Sequence, residues 1–167
     1  MVDKEKIRSE YINFTKQLIE KNISITMMES CTGGLISSLI TDTEGSSAIF
    51  AGSFVTYSNN AKIMLGVPSE TIKKYSVYSE KTAKAMAIAA RNSFNAMLGI
   101  GVTGTTGNID PKNQKDSVPG KIYFAISTEQ KTESFSIKLP PQDSRADYKF
   151  LAAEKILEKL VLFTKSM

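Results

Sequence analysis

The sequence predicts an α/β sandwich spanning residues 1–167 as one domain, its sheet mostly parallel with an antiparallel strand near the end. Three observations point there. Short apolar, β-prone runs at 23–28, 48–57 and 98–103 are separated by helical stretches, the pattern of strands with crossover helices. Two alternating segments, 121–128 and 132–138, then follow one another directly, as antiparallel neighbours do. The chain's 167 residues and 41% hydrophobic content suit the core of one domain of ordinary size.

Each element has its own local cause. Ile7, Tyr11, Phe14 and Leu18 recur at helical spacing and predict a helix over 4–21. Ile23 to Met28 reads as a strand, Gly33-Gly34 as a turn, and Leu35 to Ile40 as a buried helix. Asp42 to Ser47 is loop chemistry, and Ala48 to Tyr57 reads as the next strand. Ser58 is placed to cap a short helix carrying Lys62 and Met64, and Pro68-Ser69-Glu70 begins another. Ser79-Glu80 opens a longer helix with Ala83, Met86, Ala90, Phe94 and Met97 on one stripe. After the strand at 98–103, the polar stretch 104–120 is long for a loop inside a domain, and such loops often carry function. Pro140-Pro141 breaks the chain, and Ser144 and Asp147 have capping-box spacing for a last helix reaching about Phe163. Tyr148, Ala152, Ile156 and Leu160 fall on one of its faces.

Composition excludes several classes of function. A net charge of +4 is a mild excess, and the basic residues are dispersed, so no nucleic-acid footprint is expected. One cysteine rules out an internal disulfide, and zero histidines remove the usual His/Cys zinc sets. Only a hard cation held by oxygens would remain as a metal. The charged start, Met-Val-Asp-Lys-Glu-Lys, lacks the apolar region of a signal peptide, and no run approaches the ~20 apolar residues of a membrane span. The expectation is a cytoplasmic protein that binds neither membrane nor nucleic acid.

The richest chemistry lies in Glu29-Ser30-Cys31-Thr32-Gly33-Gly34. Ser30 stands where a buried strand hands over to a Gly-rich helix start, the edge at which α/β sheets bind ligands. Backbone N–H groups from Cys31, Thr32, Gly33 and Gly34, with the positive helix end, could hold an oxyanion or a phosphate. The plainer alternative is that Ser30 or Thr32 caps the helix. Cys31 is a competing nucleophile, but its thiolate would depend on the helix end or a lysine, so the serine is preferred.

A serine nucleophile needs a base, and histidine is missing. Val55-Thr56-Tyr57-Ser58-Asn59-Asn60-Ala61-Lys62 offers a tyrosine at a strand end and a lysine one helical turn later. A lysine in a desolvated pocket loses its proton more easily, and a tyrosine can relay one. Alternatively, Lys62 is a surface lysine and Tyr57 a half-buried ring. The spacing is one residue longer than the Tyr-x-x-x-Lys of short-chain dehydrogenases, and no Gly-x-Gly-x-x-Gly follows the first strand, which argues against that chemistry. Gly101-Val102-Thr103-Gly104-Thr105-Thr106-Gly107 is a further Gly-rich turn, suited to a phosphate or ribose or to a plain loop. Arg145, at the start of the last helix, is a candidate anion ligand.

Taken in order, these blocks resemble one family. Glu29 to Gly34, Gly45-Ser46-Ser47, Val55 to Asn59 with Ala61-Lys62, Gly66-Val67-Pro68, Ser79-Glu80, Gly101 to Gly104 and Pro119-Gly120 are similar to the C-terminal domain of CinA, the competence/damage-inducible protein. That domain also occurs as a stand-alone nicotinamide-nucleotide amidase. The resemblance implies a three-layer α/β/α sandwich with a mixed sheet and members that form homo-oligomers. It implies hydrolysis of the carboxamide of nicotinamide mononucleotide to nicotinate mononucleotide and ammonia. Ser30 would be the nucleophile, Lys62 the base and Tyr57 its assistant. The 31–34 turn would hold the oxyanion. Gly101, Thr103, Gly104, Thr105 and Arg145 would hold the ribose phosphate, and no metal or organic cofactor would be needed.

Three stretches depart from the family pattern. The usual Gly-Ile-Ala-Gly-Pro reads Gly104-Thr105-Thr106-Gly107-Asn108-Ile109-Asp110, the usual His-Gly-Ala-Val-Ser-Glu reads Tyr75-Ser76-Val77-Tyr78-Ser79-Glu80, and Gly-Asp-Arg reads Asp143-Ser144-Arg145, with Lys149 as a second basic position. Two other readings follow: a related hydrolase with a different small amide or nucleotide substrate, and a non-catalytic nucleotide-binding or competence-related module.

Overall fold

The computed structural model describes residues 2–165 and 167. Helix α1 (Lys4–Glu20) leads into the strand β1 (Ile25–Glu29), helix α2 (Leu35–Thr41) and a 3-10 turn at Ser46–Ala48. A short strand β2 (Phe54–Val55) is followed by helices α3 (Asn59–Met64), α4 (Ser69–Tyr75) and α5 (Glu80–Phe94). Strands β3 (Leu98–Gly104), β4 (Lys121–Ser127) and β5 (Thr132–Lys138) complete the sheet, and α6 (Arg145–Thr164) closes the domain.

The strand order is β2-β1-β3-β4-β5. β1 pairs parallel with β2 and β3, whereas β4 pairs antiparallel with both β3 and β5. Four strands therefore share one direction and β4 alone opposes them, the mostly parallel, mixed sheet that was expected. The two-residue period of the strands sorts their side chains into two cores. Ile25, Met27, Leu98, Ile100 and Val102 join the larger core with Tyr11, Phe14, Ile36, Leu39 and Ile156 from α1, α2 and α6. Met28 faces the opposite layer, with Val67, Met86 and Ala90. The result is a three-layer α/β/α sandwich.

Close approach of α5 depends on small residues. Ala83 and Ala87 pack beside Ala125 of β4. On β3, a Cβ at Gly99 would lie 2.3 Å from the Ala87 carbonyl oxygen, and one at Gly101 would lie 2.1 Å from that of Ala83. Gly101, expected at a phosphate, thus serves helix–sheet packing on this face.

The expected strand over 48–57 is shorter, because only Phe54–Val55 enters the ladder. Ser46–Ala48 coils as a 3-10 turn and Ile49 is buried in the larger core instead of continuing an alternating strand. The stretch still tracks β1: Ile25 N–H donates to the Ile49 carbonyl and the Thr26 hydroxyl donates to that of Gly52. The expected caps form, with Ser58, Ser79 and Ser144 accepting from the N–H of Ala61, Thr82 and Asp147.

Ser76 closes α4 with φ of 71°, a left-handed conformation that L side chains adopt at a cost. It occupies the position at which the family pattern has glycine. Ser76→Gly is expected to raise stability by about 0.5–1 kcal/mol, read as a higher urea midpoint at unchanged slope. A lower midpoint would mean that the bond from Tyr78 N–H to the Ser76 hydroxyl, at 3.3 Å, outweighs the strain. Among the described residues, no helix is long and apolar enough to cross a membrane.

Candidate active site

β1 lies between β2 and β3, so the chain leaves its carboxyl end in one direction and later returns on the other side. That is the switch point where a crevice opens in an α/β sheet. Ser30 is the first residue past this end. Its N–H donates to the Val102 carbonyl at 3.0 Å, which holds the serine turn against β3.

Parallel pairing of β1 with β2 carries the 55–62 segment to the same edge. Thr56 N–H donates to the Glu29 carbonyl, extending that register by one bond, and α3 then turns back. Lys62, on α3, is buried at 1% exposure. Its Nζ lies 3.0 Å from Ser30 Oγ and donates to the Thr56 carbonyl at 2.7 Å. Burial penalises the ammonium and lowers the Lys62 pKa from 10.5 to about 8, with the Cys31 sulfur pulling weakly the other way. A substantial neutral fraction therefore exists near physiological pH, and a neutral amine beside a hydroxyl can accept its proton.

Cys31 is buried, and its thiol is pushed up to about 12, first by desolvation and then by the Glu29 carboxylate. A thiol so far from its thiolate is a poor nucleophile. Its backbone and that of Thr32 matter more. Among the described residues, the N–H groups of Cys31 and Thr32 donate to no oxygen and face the Cys31 sulfur, whereas Gly33 N–H returns to the Ser30 carbonyl at 3.0 Å. Gly33 and Gly34 hold φ of 61° and 91°, which lets the turn double back.

Glu29, the last residue of β1, anchors the turn that follows it. Its carboxylate is fully buried and accepts from Gly34 N–H at 3.1 Å, Ile36 N–H at 3.1 Å, Ser37 N–H at 2.8 Å and the Ser37 hydroxyl at 2.7 Å. The positive end of α2, expected to receive a ligand anion, is thus already occupied by the protein's own carboxylate. The signal lay in the sequence as an acidic residue just ahead of a helix start, although only a folded turn brings it back onto that start.

Tyr57 is placed differently from expectation. Its ring is 64% exposed, and its hydroxyl accepts from Arg145 Nη2 at 2.7 Å. Among the described residues, no hydrogen bond joins Tyr57 to Ser30 or Lys62. The Gly-rich loop is also committed to the fold. The Thr103 hydroxyl donates to the Val77 carbonyl, a Cβ at Gly104 would lie 2.5 Å from the Lys121 carbonyl, and Thr105 Oγ1 shares a 3.0 Å bond with Ser117 Oγ. Asp110 fastens the same loop. It accepts from the Tyr78 hydroxyl at 2.6 Å and from Asn113 Nδ2 at 2.7 Å, bonds that hold its carboxyl below the usual range. Among the described residues, no group of three or more His, Cys, Asp or Glu could hold a metal ion.

Comparison with known proteins agrees with this architecture. The CinA C-terminal domain family matches residues 9–163. A CinA-like protein of Prochlorococcus marinus subsp. pastoris is 37% identical over 138 residues, covering 74% of this chain and 31% of that protein. The chain spans about a third of the length of such curated relatives. A CinA superfamily protein from Escherichia coli superposes with a TM-score of 0.86 at 25% identity, covering 96% of this chain and 92% of its own. A competence/damage inducible protein from Agrobacterium tumefaciens does so with a TM-score of 0.83 at 27% identity, covering 95% of each. The match over residues 9–163 and the shared sandwich lead to one conclusion: this chain belongs to the CinA C-terminal domain family.

Proposed function

We propose that the chain is an amidohydrolase acting on nicotinamide mononucleotide, with Ser30 as nucleophile and Lys62 as its base. The observation that carries this reading is the 3.0 Å contact between Ser30 Oγ and a buried lysine whose pKa is lowered to about 8. In a chain without histidine, that pair supplies both a nucleophile and an acceptor for its proton.

Neutral Lys62 takes the Ser30 proton as Oγ attacks the carboxamide carbon. The developing oxyanion is met by the N–H groups of Cys31 and Thr32, which donate to no backbone oxygen and turn from the Cys31 sulfur to the stronger acceptor. Glu29, by occupying the donors of Gly34, Ile36 and Ser37, fixes the turn that presents them. Lys62 then returns the proton to the departing nitrogen, the C–N bond breaks, and ammonia leaves behind an ester on Ser30. A water molecule, deprotonated by the same amine, attacks this ester, and Ser30 recovers its proton as the carboxylate is released. Tyr57 is given no step in the transfer, because its hydroxyl is engaged with Arg145 at the exposed side of the site.

The test is ammonia release from nicotinamide mononucleotide. Ser30→Ala is expected to lower turnover by at least about 10³-fold, and equal turnover in the two proteins would remove the mechanism. A second reading, a related hydrolase with another small amide, is favoured by the Tyr78–Asp110 bond, which ties the 104–120 loop to the segment just before α5. A carboxamide panel in which another substrate outranks nicotinamide mononucleotide would put that reading first.

A further inference from the structure

We propose that the 104–120 loop is a lid on the Ser30–Lys62 pair, and that the hydrogen bond from Tyr78 to Asp110 is the latch that holds it shut. The inference rests on the reading of that pair as the reacting groups and adds the motion that admits substrate to it.

The pair is enclosed. Ser30 is 8% exposed and Lys62 1%, so an amide that is to meet Ser30 Oγ must displace part of the shell around it. The loop brackets the serine turn from both helical layers. It springs from the end of β3 at Gly104, just past the Val102 carbonyl that holds Ser30 N–H. Its stems rest on α6: Tyr148 Cε2 lies 3.9 Å from where a Cβ would stand on Gly107, and Tyr148 Cε1 lies 3.6 Å from one on Gly120. The next residue, Lys149, places its Nζ 3.3 Å from where a Cβ would stand on Gly33 of the Ser30 turn. The tip of the loop reaches the other way, to Tyr78 in the segment before α5. Burial and then Asp110 push the Tyr78 phenol up, and Cys31 adds weakly in the same direction, so the latch stands within electrostatic reach of the residue beside Ser30.

The tip is tied down at one point. Thr105 N–H donates to the Lys121 carbonyl at 3.0 Å and Gly120 N–H to the Thr106 carbonyl at 2.7 Å, which pins the two stems together. Beyond them, Asp110 organises residues 107–118 as a unit of their own. Its carboxylate accepts from Lys112 N–H at 3.0 Å and Asn113 Nδ2 at 2.7 Å, and its N–H donates to the Ser117 hydroxyl at 2.8 Å. Among the described residues, the one hydrogen bond that reaches 107–118 from outside the loop is the 2.6 Å bond from the Tyr78 hydroxyl. Ile109, Pro111 and Val118, the apolar side chains of the unit, are exposed, so apolar burial does little to seat it. A polar cavity of about 520 Å³ lies between the unit and the end of α4, with Asn59, Tyr75, Asn113 and Asp116 in its walls. A segment with its own internal bonds and one outside tie opens as a body when that tie breaks. The tie is a phenol on a carboxylate, a short and strong bond that keeps the closed form dominant.

Cys31 is the single cysteine of the chain, 5% exposed and adjacent to Ser30, so its thiol reports opening without any turnover. The experiment follows its alkylation by N-ethylmaleimide, read by intact mass, at urea concentrations below the unfolding transition, in wild type, Tyr78→Phe, Asp110→Ala and the double variant. Tyr78→Phe is expected to label about tenfold faster than wild type, at a rate that barely responds to low urea, the mark of a local opening as opposed to global unfolding. Asp110→Ala is expected to label at least as fast as Tyr78→Phe, and the double variant no faster than Asp110→Ala, because the second substitution finds the bond already gone. A rate unchanged in Tyr78→Phe, a rate that climbs with the global urea slope, or effects of the two substitutions that multiply would each overturn the latch. Ammonia release does not enter the readout, so a failed latch and a failed amidase reading are told apart.

Discussion

Lys62→Met is expected to reduce ammonia release from nicotinamide mononucleotide by at least about 10³-fold and to flatten the pH dependence of folding stability above pH 8. Methionine retains an unbranched stem in the buried slot but can accept no proton. In the wild type, only the neutral amine works, so kcat/KM should rise about tenfold per pH unit below the pKa of about 8 and level off above it. The stability argument uses the same group. Burial lowers the folded pKa from 10.5 to about 8, so between these values the unfolded chain binds more protons at this position than the folded one. Stability contributed here therefore increases from pH 8 to 10.5, by roughly 3 kcal/mol in full, and below pH 8 the fold carries the whole cost of a buried ammonium. Subtracting the Lys62→Met curve from that of wild type isolates this slope from the surface lysines. A rate independent of pH below 8, or parallel stability curves in the two proteins, would count against Lys62 as a buried base.

Gly101→Ala is expected to destabilise the fold by about 3 kcal/mol or more, read from urea denaturation. The added methyl would stand 2.1 Å from the Ala83 carbonyl oxygen and 2.6 Å from the Ala87 nitrogen. Both are backbone atoms in the middle of α5, so relief requires the helix to move off the sheet and open the smaller core at Met86 and Ala90. Gly107→Ala is the matched control, since its nearest neighbour would be Tyr148 Cε2 at an ordinary 3.9 Å. Equal midpoints for the two variants would show that α5 is not seated on that glycine.

Gly101 also marks the limit of what the sequence disclosed. A glycine within a strand looks the same in a sequence whether its bare face meets a phosphate or a helix, and only the seating of α5 decides. The layered fold was legible because its causes are local: periodic apolar residues, hydroxyl caps and β-branched runs. The 48–57 stretch was overextended because apolar content says that a segment is buried, and not whether it pairs. In the site, Ser30 and Lys62 could be linked by chemical need across 32 residues, since a serine without histidine calls for another base. Nothing comparable linked Tyr57 to Arg145 across 88 residues, so the tyrosine was expected at the amine and is found on the guanidinium. The stacking of Lys149 over Gly33 is likewise a product of how α6 lies on the turn.

The Glu29 carboxylate has a consequence for chain length. Its bonds to Gly34, Ile36 and Ser37 close a ring in the backbone that begins one residue before Ser30 and ends inside α2. Any insertion or deletion between 30 and 33 would change the circumference of that ring and separate strand end from helix start, even if every side chain were kept. The segment is therefore measured as well as spelled: the number of residues from Glu29 to Ser37 is as much a part of the site as the serine within it.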